Sequence, residues 1–270
     1  MSLRIQHNIE AFDAHRQLQG TNDKLSKSME RLSSGYRINS AADDAAGLAI
    51  SEKLRSQISG LDQAGRNAQD AVSLVQTAEG QLNEVHAMLQ RVRELAVQYK
   101  NGTLSTSDRT AIQSEINQLG SEIERIGTSA QFNGIPLLNG QVTVTFQVGA
   151  NDGETIEVTT ATLWGGAVPT SAFQLSITGT SDIAAIDGAI DGVSTMRAQY
   201  GAVQNRLEHV ISNLGIYQEN LTASESRIRD VDMAAEMANL TKLQVLQQAG
   251  TSMLAQANQS PQAVLSLLRG

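Results

Sequence analysis

The 270-residue chain contains no cysteine. That excludes disulfide bridges, zinc–thiolate centres and cysteine nucleophiles together. Aromatic residues make up only 3% of it, against 40% for all hydrophobic residues. Its core must therefore be built from Leu, Ile, Val and Ala, the material of close helix packing. Positive charge is also short: 20 Lys and Arg stand against 28 Asp and Glu, for a net charge of −8. No basic surface that could neutralise phosphates is indicated, so nucleic acid is a poor partner. No uninterrupted apolar stretch approaches the ~20 residues needed to cross a bilayer, and membrane insertion is not expected. The opening MSLRIQHNIEAFDAHRQ has no apolar core followed by a small-residue cleavage site. A cleavable secretory signal is therefore not expected, and export would need another route.

What the chain does have is apolar residues in heptads. Leu18, Leu25 and Leu32 fall seven apart near the start, with Met29 between the last two. Ile186, Val193, Tyr200, Leu207, Leu214, Leu221 and Ile228 repeat the spacing over a longer run. Val203, Val210, Tyr217 and Val231 fill a companion stripe. Sustained heptads mean helices packed lengthwise against other helices. The expected fold is mainly α: a long-helix, coiled-coil-like rod or bundle with paired N- and C-terminal helices and a small β-hairpin insert.

Residues 3–33 read as an amphipathic helix, weakened by Gly20. Residues 33–46 (SSGYRINSAADDAA) are small and polar, as in a linker. A second helix is expected from about Ala45 to Tyr99, with Leu54, Leu61, Ala68, Val75, Leu82, Leu89 and Ala96 in register. Such a helix would extend roughly 80 Å. Asn101-Gly102 ends it, and Ser105 with Asp108 three residues on offers a capping box for a third helix carrying Ile112, Ile116, Leu119, Ile123 and Ile126. Val142, Val144, Phe146 and Val148 then alternate with polar residues. Asn151-Asp152-Gly153 marks a turn, and Ile156 and Val158 continue the apolar face, giving a β-hairpin. The heptad stripes lie outside 141–180, so this insert is expected to be separable from the helical core. Ser181 starts a helix that runs to the end of the chain.

Several blocks carry a family likeness: RLSSGYRINSAADDAAGLAISEKLRSQI (31–58), LQRVRELAVQ (89–98), SAQFNG (129–134), GAVQNRL (201–207), SRIRDVDMAAEM (226–237) and QQAGTSMLAQANQSPQAVLSLLR (247–269). In content and order they resemble bacterial flagellin. The resemblance covers both ends and nearly all the expected helices, but not 141–180, where larger flagellins carry whole outer domains. It implies a self-assembling subunit of the flagellar filament, exported by a type III route. The inner, discontinuous domain would pair 1–33 with 235–270. Linkers would occupy 34–44 and 226–234, and 45–225 would form an outer helical bundle. It further implies an export chaperone on the C-terminal helix, and filament cap and junction proteins as partners. The rivals are a hook–filament junction protein, an enzyme embedded in a filament, and a type III-secreted coiled-coil interaction protein. LQRVRELAVQ and SAQFNG favour flagellin over the junction protein. The insert is too short for an embedded enzyme.

The residues expected to pack the filament core are Leu18, Leu25, Leu32, Leu243, Leu246, Met253, Leu254, Val264 and Leu268. Gln90, Arg91, Glu94 and Leu95 read either as a solvated helix face or, by the resemblance, as the surface that Toll-like receptor 5 recognises, with Glu115 as its acidic member. Asp43-Asp44 could be an acid pair. Adjacent carboxylates on a helix do not face one another, so the pair fits better near the N-terminus of the second helix. His7, His15, His86 and His209 are far apart and show no ligand spacing. No Gly-rich phosphate loop is present, and neither an enzyme activity nor a cofactor is expected. Three sequons, at Asn101, Asn220 and Asn239, include two within expected helices, and the hydroxyl-rich segment 155–182 is the better place for O-linked sugar.

Overall fold

The computed structural model describes residues 8–163 and 182–269, with the backbone alone for Asp182 and residues 260–269. In chain order these residues form α1 (Ile9–Ser34), α2 (Ala45–Tyr99), α3 (Thr106–Ser129), β1 (Gln131–Phe132), β2 (Ile135–Pro136), β3 (Thr143–Gln147), β4 (Thr155–Thr159), α4 (Asp182–Arg229) and α5 (Met233–Arg269). Two compact units result. One holds residues 1–56 with 220–270, the other residues 57–219.

The 57–219 unit is organised by the α2 heptads. Leu61, Ala68, Val75, Leu82, Leu89 and Ala96 are all buried. So are Ala71, Ala78, Val85 and Val92, which widen the stripe. The width follows from the partners: α2 shares one core with Ile112, Ile116, Ile123 and Ile126 of α3 and with Ile186, Val193, Tyr200 and Leu207 of α4. Each large side chain so buried contributes roughly 1.5–3 kcal/mol. Helix α3 starts on the expected capping box. The Ser105 hydroxyl accepts from the Asp108 amide at 3.2 Å, and the Asp108 carboxylate accepts from the Ser105 amide at 3.1 Å. Arg93 pairs with Asp187 at 2.5 Å, and Arg197 lies 3.7 Å from Glu79; both link α2 to α4 along the rim of the core.

The hairpin forms in the expected register, with Val144 opposite Val158 and Phe146 opposite Ile156. It is not separable, however. Val148, Ile156, Val158 and Leu163 belong to the same buried cluster as the α2 stripe. The Asn67 side-chain amide of α2 donates to the Gln147 carbonyl at 2.9 Å. The Tyr200 hydroxyl of α4 accepts from the Ala161 amide at 2.8 Å. Two-stranded hairpins are marginal alone, and this one gains its stability from the helices. Residues 164–180 of the expected insert lie outside the described residues, as does Ser181.

A second short hairpin, β1–β2, was not expected. It turns on Asn133 and Gly134, both at positive φ (48° and 80°). Asn-Gly favours this mirror-image two-residue turn, so the signal was present. The chain that follows sends Leu137 and Leu138 into the core.

The C-terminal third also departs from expectation. The heptads do not continue as one helix: α4 ends at Arg229 and α5 begins at Met233. Residues 226–229, expected within a linker, are helical. The break is held by a new cap, since the Asp232 carboxylate accepts from the amides of Ala234 and Ala235 at 3.0 and 3.1 Å. Such a cap satisfies amides that helix geometry leaves unpaired.

Candidate assembly site

The first element of the site is the α1–α5 pair. Its antiparallel register can be followed along both helices. Asn8 donates to the Ala257 carbonyl at 2.8 Å, Gln247 to the Asn22 side chain at 2.9 Å, and the Ser28 hydroxyl to Glu236 at 2.5 Å. Between these contacts Gly250 faces Leu18; a methyl group there would sit 3.2 Å from the Leu18 Cδ1. Two helices with single apolar stripes, each thin for its length, thus cover one another.

They do so only in part. Leu243 is buried, while Leu18, Leu25, Leu32 and Leu254 are half-buried. Leu246 and Met253 are exposed, Met253 at 64%. Phe12 and Val245 stand out at 72% and 60%, and Ile9, Met29, Met233 and Met237 are exposed as well. The side chains of Val264 and Leu268 lie outside the described residues. Large apolar side chains are thus left in water along both helices. Of the residues expected to pack the filament core, Leu246 and Met253 are exposed; Phe12 and Val245, exposed as well, are not among those expected and lie off the leucine stripe.

The second element is a junction between the two linkers. Gly35 closes α1 in the left-handed conformation, φ 75°, with its amide donating to the Arg31 carbonyl. Tyr36 then forms an antiparallel bridge with Asp230. The Arg37 amide donates to the Arg229 carbonyl at 2.7 Å, and the Val231 amide to the Gly35 carbonyl at 3.0 Å. The Arg229 guanidinium stacks over the Tyr36 ring at 4.8 Å and pairs with Glu52 at 2.7 Å. Here the two acidic neighbours divide their work. Asp44 caps α2 by accepting from the Gly47 amide at 2.8 Å. Asp43 faces away, pairs with Lys27 and accepts from the Ser40 amide at 3.1 Å. Lys27 and these Ser40 contacts hold the Asp43 carboxyl far below the usual carboxylate range. The Ser28 hydroxyl likewise lowers Glu236, with help from Asn239 and Arg31.

A third group lies on the α2–α3 seam. Arg91 forks onto Glu115 at 2.9 and 3.0 Å and also reaches Glu94 at 3.2 Å. Gln90 is exposed beside His86, 2.9 Å away. Leu95 is not on this surface: it is 2% exposed and belongs to the core. The helix does put Arg91 and Leu95 one turn apart. But α2 is covered from two sides, and its apolar face is wide enough to take Leu95 inward.

Among the described residues no three His, Asp or Glu side chains come together as a metal site. Nor is any helix there long and apolar enough to cross a membrane. The arrangement can bind other helices. The family model for the bacterial flagellin N-terminal helical region matches residues 5–143, and that for the C-terminal helical region matches residues 183–268. A flagellin of Halalkalibacterium halodurans is 55% identical over 270 residues, spanning 98% of this chain and 99% of that protein. The chain belongs to the bacterial flagellin family. The flagellar filament 33 kDa core protein of Treponema phagedenis is 48% identical, across 98% of this chain and 99% of that one. A solved putative flagellar hook-associated protein from Vibrio parahaemolyticus superposes with a TM-score of 0.59, covering 70% of this chain and all (100%) of that one. At 18% identity that likeness concerns the fold alone.

Proposed function

We infer that this chain is a structural, non-enzymatic subunit that polymerises into the extracellular bacterial flagellar filament. The carrying observation is the α1–α5 pair, with large apolar side chains in water along it, in a chain of flagellin type. An isolated subunit leaves this surface wet; a helical polymer covers it with the same surface of neighbours. The filament core comprises Leu18, Leu25, Leu32, Leu243, Leu246, Met253, Leu254, Val264 and Leu268, to which Phe12 and Val245 are added. The division into an inner domain (1–33 with 235–270) and an outer bundle (45–225) is part of this reading, with 34–44 and the break at 230–232 between α4 and α5 as the connections. Its partners are further subunits, an export chaperone on α5, and the filament cap and junction proteins. Gln90, Arg91 and Glu115 form the surface offered to Toll-like receptor 5, with Leu95 supporting it from beneath. The test is polymerisation of purified subunit on added salt, followed by light scattering and negative-stain microscopy. Long tubes are expected. A subunit that stays monomeric at every salt and protein concentration would overturn the reading, and closed soluble oligomers would favour a coiled-coil interaction protein.

A further inference from the structure

Methionine is distributed unevenly over the two units. Met29, Met233, Met237 and Met253 are all exposed, and all lie on α1 and α5. Met88 and Met196, in the other unit, are half-buried against its core. Three of the exposed thioethers also sit at one level of the α1–α5 pair. Met29 follows Ser28, and Met237 follows Glu236, the two residues joined by a hydrogen bond. Met233 is one turn before Met237 on the same helix face. They share these helices with exposed Ile9, Phe12, Val245 and Leu246. Unbranched, polarizable methionine suits such an adaptable contact surface, but it is also the apolar side chain that oxidants attack.

We propose that Met29, Met233, Met237 and Met253 form an oxidation site at which a peroxide-class oxidant switches the free subunit out of assembly. The inference rests on the filament reading. In the reaction a peroxide oxygen is transferred to the thioether sulfur. The S–O bond forms as the O–O bond breaks; the sulfur loses two electrons, and hydrogen peroxide is reduced to water. The product is polar and chiral, and it remains reducible by sulfoxide reductases. Covering it with a neighbour's apolar side chains strips its oxygen of hydrogen-bonding water at a cost the thioether does not incur. Polymer would shield the same sulfurs. The vulnerable species is therefore the unassembled subunit, and the lesion is reversible.

The test treats monomer with graded hydrogen peroxide, removes the oxidant, and measures the critical concentration for polymerisation. Oxygen uptake at each methionine is followed by peptide mass spectrometry. Oxidation at the four exposed positions should precede that at Met88 and Met196. It should raise the critical concentration by about tenfold or more, corresponding to ~1.4 kcal/mol. A methionine sulfoxide reductase should restore the original value. Subunit in preformed filaments should take up oxygen more slowly. A chain carrying Met→Leu at all four positions, compared with its own untreated assembly, should resist peroxide. Subunits oxidised at these positions that assemble at an unchanged critical concentration would overturn the proposal, as would failure of the reductase to restore assembly. Untreated chain that does not polymerise would instead refute the filament reading itself.

Discussion

Replacing Ile156 by Ala tests whether the hairpin belongs to the core of the 57–219 unit. Ile156 is 2% exposed, faces Phe146 across the hairpin, and shares the buried cluster of α2, α3 and α4. Truncating a buried Ile to Ala costs about 2–5 kcal/mol, the spread reflecting how far the site can collapse. The hydrogen bonds from Asn67 of α2 to Gln147 and from Ala161 to Tyr200 of α4 hold the hairpin's buried face against the helices and leave little room for collapse, which favours the upper half of that range. With an m-value of ~3 kcal/mol/M, the urea midpoint should fall by about 1.2–1.7 M. Circular dichroism reports the helices, so the loss would be read in elements that Ile156 does not belong to. Thr145→Ala, at an exposed position on the paired strand, serves as the control and should leave the midpoint in place. An Ile156→Ala midpoint within ~0.2 M of the parent would refute the reasoning and return the hairpin to the status of a surface appendage.

Gly47→Ala should loosen the start of α2, because the new methyl would lie 2.4 Å from an Asp44 carboxylate oxygen and 2.8 Å from the Ile38 Cδ1. Losing that cap and repacking buried Ile38 should cost about 1–3 kcal/mol, read as a lower thermal midpoint. Leu95→Ala should destabilise the 57–219 unit by about 2–5 kcal/mol, whereas Arg91→Ala should hardly move its midpoint, so receptor signalling tests are clean only with the latter. Asp43 and Glu236 both have lowered folded-state values. Their stabilisation is therefore complete above the ordinary carboxylate range near ~4 and lost as pH falls through the folded values. Acid titration should thus weaken the junction and the α1–α5 pair, and Asp43→Asn with Glu236→Gln should flatten the pH dependence of amide exchange there.

Long-range periodicity carried most of the fold. The α2 heptads determine a helix from Ala45 to Tyr99, and the alternation at 142–148 determines a hairpin. What periodicity hides is interruption. Ile228 and Val231 read as a continuing stripe, yet the helix stops between them, because Asp232 offers a cap and Gly35, Tyr36 and Arg37 offer backbone partners from a distant part of the chain. No local signal announces such partners. Leu95 shows a related limit. Spacing places it on Arg91's side of the helix, but burial depends on how many neighbours α2 has. At the chain ends the sequence shows the leucine stripe of α1 beside apolar residues of α5 that include Leu246 and Met253. Phe12 and Val245 lie off it, and only the register of α1 against α5 shows that both remain in water.

The central claim is that neighbours in a filament cover the apolar faces of α1 and α5. Because the chain has no cysteine, Val245→Cys introduces a single thiol at an exposed position of α5. Its rate of maleimide labelling is measured in monomer and in sedimented polymer of the same variant. Rapid labelling in monomer and strong protection in polymer are predicted. Equal rates in both states would show that the face stays in water after assembly and would contradict the account.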